Sequence, residues 1–390
     1  MNKILLEERM YCLKKEFESF REKVNQYKYI SLFGVGNQAE LWGYEFVKEW
    51  SRNNIICFVD NNPEIWGKTI IDNLSCVSPE QLARYGKDML SVILTGKSSQ
   101  KEIMLQLKRQ ETDAIGIDDC WLYIDELIEK YLSVKLPEIW EGSCEMGHYN
   151  KPLEEKSKIA VFTCIVNDYD ELIQPLIPDE QCDYYCLGLK KPRNTGIYKW
   201  LDISKMIPDY ILGDFVRMNR YCKLHPHILF PQYRYSIYVD GHISICGKLS
   251  ELITRIGKTG IASYGMIPFR DTYEHANSIW YCRFKGERRE VISEQMQKYA
   301  HEGFPRYYGM SENGVIVREH HNRDCIKIMN TWWNEIKNYS RRDQLSFFYS
   351  IWKNGFTAQD IGYIDATFRN GPEFKIRKHK KKNEIHKFNR

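Results

Sequence analysis

The most constraining stretch of this chain lies near its start. Tyr29–Phe33 is a short apolar run, Gly34-Val35-Gly36 a tight turn, and Asn37–Trp50 has helical spacing. A second apolar run, Ile55–Val59, then ends at Asp60. Gly34, Gly36 and Ala39 stand in G-x-G-x-x-A spacing, with the acid 24 residues after Gly36. Glycines there let the backbone approach a phosphate at a helix N-terminus, and the acid can accept from a ribose hydroxyl. Gly34, Gly36 and Asp60 are therefore candidates for a nucleotide site, with NAD or another nucleotide as ligand. The same glycines also suit close helix–strand packing with nothing bound.

The αβ punctuation continues with a helix opening at Ser78-Pro79-Glu80, a strand over Ser91–Thr95, a helix over Ser98–Arg109 and a strand over Asp113–Ile117. Together these predict a Rossmann-like domain over 27–137 behind an amphipathic helix over 1–26. The segment is similar to modules attached to bacterial polysaccharide enzymes, with a glycine turn and then "DNNP…WG" after the second strand. An NAD-dependent sugar-nucleotide oxidoreductase or epimerase is the alternative function. Against it, the domain is short and has no Tyr-x-x-x-Lys pair at short-chain dehydrogenase spacing.

The formal charge of +4 comes from 56 basic and 52 acidic residues. From Lys375 to Arg390 there are eight Lys or Arg and one acid, so this stretch carries +7 and the remainder 4 − 7 = −3. A slightly acidic body argues against a nucleic-acid protein. The basic tail over 371–390 fits peripheral contact with anionic membrane, or plain solvation. No apolar run approaches the roughly 18 residues of a membrane span, and acids interrupt the N-terminal stretch where a signal peptide is apolar. Twelve Cys without a C-x-x-C pair fit free thiols in a reducing compartment. The expected location is the cytoplasm, with contact at the inner face of the membrane.

A connection over 138–157 leads to a second α/β domain over 158–370. Its strands are predicted at Lys158–Ile165, Asp183–Leu187, Tyr198–Ile203 and Tyr235–Val239. The last ends at Asp240-Gly241-His242. An acid at the end of an apolar strand is costly unless it meets a cation, a metal or a ligand. Arg220 and Lys223, just upstream, are suited to neutralising a diphosphate. Asp271 and Glu274 are spaced i, i+3, on one face if that stretch is helical. Arg318-Glu319-His320-His321 follows the strand-like GVIV. Asp343 sits where a helix N-cap belongs, and of Trp332 and Trp333 one is expected in the core and the other beside a sugar.

Blocks in this half resemble a glycosyltransferase-like family of plant pollen-turgor and seed-mucilage proteins and bacterial polysaccharide loci. They are "NRYCKLHPHILFPQYRYSIYVDGHISI" (219–245), "FRDTYEHA" (269–276), "EGFP" (302–305), "GVIVREHHN" (314–322), "WWNEI" (332–336) and "RRDQLSF" (341–347). The resemblance implies a GT-A-like fold and transfer of sugar from a nucleotide-sugar donor to a glycan or lipid-linked acceptor in capsule or O-antigen synthesis. The candidate donor contacts are Thr163, Asn167, Arg220, Lys223, Asp240 and Gln344, and the candidate catalytic residues are Asp343, Glu274 and Glu319, of which the Asp343-Gln344 pair also resembles the acceptor-side motif of GT-A enzymes. A Mn²⁺ or Mg²⁺ ion is implied at Asp240, His242 and His320, although His242 departs from the Asp-x-Asp pattern of such enzymes. The non-enzymatic alternative is a nucleotide-sugar-binding scaffold.

Overall fold

The computed structural model describes residues 3–36, 43–52, 54–117, 122–153, 157–266, 271–282, 286–369 and 371–379. Ala39, the first two residues of the FRDTYEHA block and the last eleven residues of the basic tail lie outside that set. The chain forms two units, Met1–Tyr131 with Asn277–Phe284, and Leu132–Ala276 with Lys285–Arg390.

The first unit opens with α1 (Lys3–Gln26), followed by β1 (Tyr29–Phe33), α2 (Tyr44–Trp50), β2 (Ile55–Val59), β3 (Thr69–Ile71), β4 (Leu74–Val77), β5 (Met89–Ile93), α3 (Lys97–Arg109), β6 (Asp113–Gly116) and α4 (Asp125–Leu132). The sheet order is β3-β4-β2-β1-β5-β6. From β4 to β6 every pairing is parallel, and β3 runs antiparallel on the edge. The chain winds outward from β1 to β2 and β4, then returns past β1 to β5. This is a doubly wound order, and it fits the Rossmann-like domain expected from the sequence. β5 is buried at all five positions, as a continuous MLSVI run requires in the middle of a parallel sheet.

The sequence treats 1–26 as a separate helix, but Phe17, Phe20 and Val24 of α1 enter the same core as Ile30, Leu32 and Phe46. The unit also takes in residues 277–284. Tyr281 lies edge-on to Tyr131 at 4.8 Å and to Phe46 at 6.1 Å. Asn277 donates to the Leu122 carbonyl at 2.9 Å.

The second unit contains β7 (Ile159–Cys164), β8 (Cys182–Gly188), β9 (Lys199–Asp202), α5 (Phe215–Leu224), α6 (Pro226–Leu229), β10 (Tyr235–Val239), β11 (Ile243–Ile245), β12 (Ile261–Gly265), α8 (Arg289–His301), β13 (Ser311–Glu319), α9 (Arg323–Asn338), α10 (Phe347–Lys353), β14 (Gly362–Tyr363) and β15 (Phe374–Ile376). Helix α7 (Thr272–Cys282) begins in this unit. The main sheet has the order β14-β12-β13-β10-β7-β8-β9. Strands β10, β7, β8 and β9 are parallel, and β13 is antiparallel to both neighbours. The sequence reads 138–157 as a connection. Here Trp140 donates to the Arg306 carbonyl, Gly147 to that of Ile361 and Lys151 to that of Thr254, so the stretch is strapped along the second unit. Among the described residues no helix is long and apolar enough to cross a membrane.

Candidate functional site

In the second unit the chain runs outward from β7 to β8 and β9, then crosses back to β10 on the other side of β7. The carboxyl ends of β7 and β10 therefore flank a topological switch point, where open α/β sheets leave a crevice. A cleft of about 300 Å³ lies there. It is lined by the turn after β7 (Cys164–Asn167, Tyr169, Asp170), the start of α5, Asp240-Gly241-His242, and Glu287, Arg341, Arg342 and His379.

Asp240 stands at the end of β10, with its carboxylate accepting from the Tyr238 hydroxyl at 2.8 Å. Asn219 of α5 donates to the Cys164 carbonyl at 2.8 Å, fixing the helix to the end of β7. Arg220 beside it donates to the Asn219 side chain at 2.7 Å. Arg341 is held by Glu287 at 3.2 Å, and Arg342 reaches Gln344 at 3.2 Å. Arginines thus face acids across one cleft, an arrangement able to hold a di-anion and a cation together.

The carboxylate and imidazoles of Asp170, His242 and His379 offer three ligand atoms within 4.8 Å of one another. His379 is 2.8 Å from Asp170, and its ring lies 4.3 Å from that of His242. A small ribbon brings it there. β15 pairs antiparallel with β11, Ile376 opposite Ile243, and Arg377 donates from its backbone to the His242 carbonyl at 2.9 Å. Gly241 sits close against this group: a Cβ there would stand 3.1 Å from both the Asp170 carboxylate and Ile165. Two imidazoles and a carboxylate form a mixed donor set that suits Mn²⁺ better than the all-oxygen preference of Mg²⁺.

Asn167, Arg220, Asp240 and His242 all line the cleft. Thr163 does not. Successive side chains alternate across a strand, so Thr163 opens on a small void beneath β7 and β10 while Cys164 faces the cleft.

Glu319 and His320 are also elsewhere. β13 runs antiparallel to β10, with Glu319 opposite Tyr235 and Val315 opposite Val239. The REHH segment therefore lies at the far end of the sheet from Asp240. Glu319 pairs with Arg234 at 2.9 Å, and the His320 ring meets the Phe230 carbonyl at 3.2 Å. His320 therefore stands apart from His242, whereas Asp170 and His379 lie beside it.

Asp343 is buried, 2.5 Å from the Lys223 ammonium and 3.5 Å from Arg220. Burial alone would raise this carboxyl, but Arg220 and Lys223 outweigh it and hold it well below the carboxylate range. Asp343 thus stands as a buried anion against Arg220 and Lys223. It does not cap α10, which begins after Ser346. Trp332 and Trp333 are both buried, donating to the Asp343 carbonyl at 2.8 Å and the Tyr210 hydroxyl at 3.3 Å.

The family model for the TOD1/MUCI70 glycosyltransferase-like domain matches residues 140–362. The chain belongs to this family. Among solved structures, the WbbM bifunctional glycosyltransferase in its apo form is 14% identical with a TM-score of 0.34, covering 55% of this chain and 40% of its own. The chain thus spans two fifths of WbbM. The mannosyltransferase Ktr4p from S. cerevisiae is 11% identical with a TM-score of 0.28, covering 62% of this chain and 76% of its own. No curated protein matches.

In this TOD1/MUCI70 domain the described residues of the FRDTYEHA block build a buried node and EGFP a partly exposed one, and neither lines the cleft. Asp271 accepts from the backbone of Tyr273 at 2.5 Å and of Tyr307 at 3.0 Å, with Arg306 at 3.4 Å. Glu274, fully buried, accepts from the Tyr307 hydroxyl at 2.7 Å. Glu302 of EGFP takes Tyr349 and Lys353, each at 2.6 Å.

In the first unit Asp60 accepts from the backbone of Val35 at 3.0 Å and of Asn62 at 2.9 Å. The acid expected on a ribose is thereby engaged in holding the glycine turn. Gly34 has φ +104°, and a Cβ on it would stand 2.8 Å from the Thr95 methyl, so packing accounts for this glycine. Gly36 meets nothing within 4 Å.

Proposed function

We propose that the second unit is a GT-A-type glycosyltransferase domain acting in surface polysaccharide synthesis at the cytoplasmic face of the membrane. It takes a nucleotide-diphosphate sugar in the cleft between β7 and β10 and passes the sugar to a hydroxyl of a glycan or lipid-linked acceptor. The observation that carries this is the opposition of Arg220 and Arg342 to Asp240, Asp170, His242 and His379 within one switch-point cleft. Arg220 and Arg342 face the diphosphate, and Asp343 keeps Arg220 in place. Asp240, steadied by Tyr238, accepts from the donor or its cation. Asp170, His242 and His379 would hold a divalent cation, Mn²⁺ by their chemistry. Such an ion supplies charge neutralisation for the departing nucleoside diphosphate.

Calorimetric titration with UDP-, GDP- and CDP-sugars, with and without Mn²⁺, tests the reading. One donor should bind and be slowly hydrolysed, and Asp240→Asn should abolish hydrolysis while the protein still melts as the parent does. If a nucleotide-sugar binds but is neither hydrolysed nor transferred, the scaffold reading replaces this one, and if none binds with or without Mn²⁺ both readings fail.

A further inference from the structure

The second unit carries an apolar surface that its core does not explain. Among the described residues fourteen large apolar side chains are exposed, and seven of them fall in the 28 residues from Leu189 to Val216. Soluble surfaces scatter such residues singly, and a concentration marks an interaction site. These residues occupy the loop after β8, the loop after β9 and the first turn of α5. β8 and β9 are adjacent parallel strands, and Ile203 donates to the Gly188 carbonyl at 3.1 Å, so Leu189 and the loop after β9 leave the same edge of the sheet, while Ile197 lies where β9 begins at the other. Tyr210 and Leu212 are 59% and 53% exposed. Phe215 and Val216 are at once exposed and part of the cleft wall, which makes the surface continuous with the cleft mouth.

The charges beside it select the occupant. The loop after β8 reads LKKPRNTGI, with Lys190, Lys191 and Arg193 exposed and no acid, between exposed Leu189 and Ile197. Lys205 precedes exposed Met206, while Asp202 and Asp209 are the exposed acids of the segment. Of Lys190, Lys191 and Arg193, only Lys190 has an acid near it among the described residues, Asp168 at 3.8 Å. Aliphatic side chains beside such a cluster are what an interface rich in anionic headgroups accepts: the apolar parts enter the headgroup boundary and the bases stay with phosphate. The sequence beyond the cleft residue His379 adds five more Lys or Arg and one acid over eleven residues. A protein partner would be expected to bring acids against this loop and to leave the exposed aliphatics in a patch closed by a polar rim.

We propose that the segment from Leu189 to Val216 is a docking face for an anionic bilayer, set beside the cleft. Docking there presents the cleft to an acceptor held in the membrane. That consequence rests on the proposed function, but the docking does not.

The full chain is sedimented with sucrose-loaded vesicles of phosphatidylcholine and phosphatidylglycerol at 70:30, and with pure phosphatidylcholine, without any nucleotide. The mixed vesicles should be bound and the pure ones not. Lys190→Glu/Lys191→Glu/Arg193→Glu and, separately, Met206→Ser/Leu212→Ser should each weaken binding at least tenfold with unchanged melting. Removal of residues 380–390 should weaken binding less than either. Absence of binding, loss only on removing 380–390, or binding by both loop variants at the parent level overturns the proposal. So does concentration-dependent self-association that Met206→Ser/Leu212→Ser abolishes, which would assign the face to a second copy of this chain. Nucleotide-sugar titration of the same samples reports separately on the cleft.

Discussion

At Asp343 one buried carboxylate answers two cations, Lys223 and Arg220. Removing its charge strands both, and breaking a buried pair from one side costs about 3–5 kcal/mol. Asp343→Asn should therefore lower the melting temperature of the second unit markedly, and adding Lys223→Met should restore part of the loss. A calorimetric double-mutant cycle measures this; no recovery in the double variant would point instead to a role at the cleft. A second residue-scale effect concerns Arg318, which is wholly buried and donates to the Lys223 carbonyl at 2.6 Å. Around it burial, with Arg318 adding, pushes His320 down to about 3 and His227 to about 4. Burial also takes His225 to about 4. These imidazoles are neutral in the fold but protonate near 6.5 once unfolded. Below that value the unfolded chain binds more protons, so stability falls as pH drops from about 6.5 toward 4 and levels off beneath the folded values. Melting curves across pH 7.5 to 4 should show this, and His320→Gln should flatten the slope.

Among the elements, the β11–β15 ribbon decides whether His379 reaches the cleft. Arg377→Pro removes the backbone donor to the His242 carbonyl and the side-chain bond to Ser244 at 2.5 Å. The Mn²⁺ affinity of the protein should fall about tenfold or more, read by electron paramagnetic resonance, with melting nearly unchanged. Equal affinity in parent and variant would separate the ribbon from ion binding. This element also shows where the sequence stops being legible. The central parallel strands β1, β2, β5, β7 and β10 were readable because each is a nearly continuous apolar run, and Asp240 because an acid closes one. The run GVIV before Arg318 is equally clear as a strand, yet an apolar run carries no direction, and β13 enters the sheet reversed. Glu319 and His320 are thereby carried away from the cleft. His379 was hidden for another reason: its surroundings read as charge alone, while the pairing of Phe374–Ile376 with Ile243–Ile245 depends on contacts 131 residues apart in sequence. Asp271 and Glu274 were misplaced because a carboxylate serving a buried hydrogen-bond node has the same one-dimensional signature as one serving chemistry.

For the whole molecule the main consequence is that the first unit is discontinuous. A fragment ending at residue 137 lacks Tyr281 against Phe46 and Tyr131, and lacks the Asn277 bond to Leu122. Deleting a buried aromatic typically costs about 3–5 kcal/mol. The fragment should therefore bind a hydrophobic dye and be cut by protease faster than the same residues in the full chain; equal resistance would show that 277–284 is dispensable. The same feature sets a clock on biosynthesis. Tyr281 follows Tyr131 by 150 residues. At roughly 5–20 residues per second, the nascent first unit waits about 8–30 s for its last aromatic after its own helices have emerged. During that interval the slot beside Phe46 and Tyr131 that Tyr281 fills stays open to the surroundings of the ribosome.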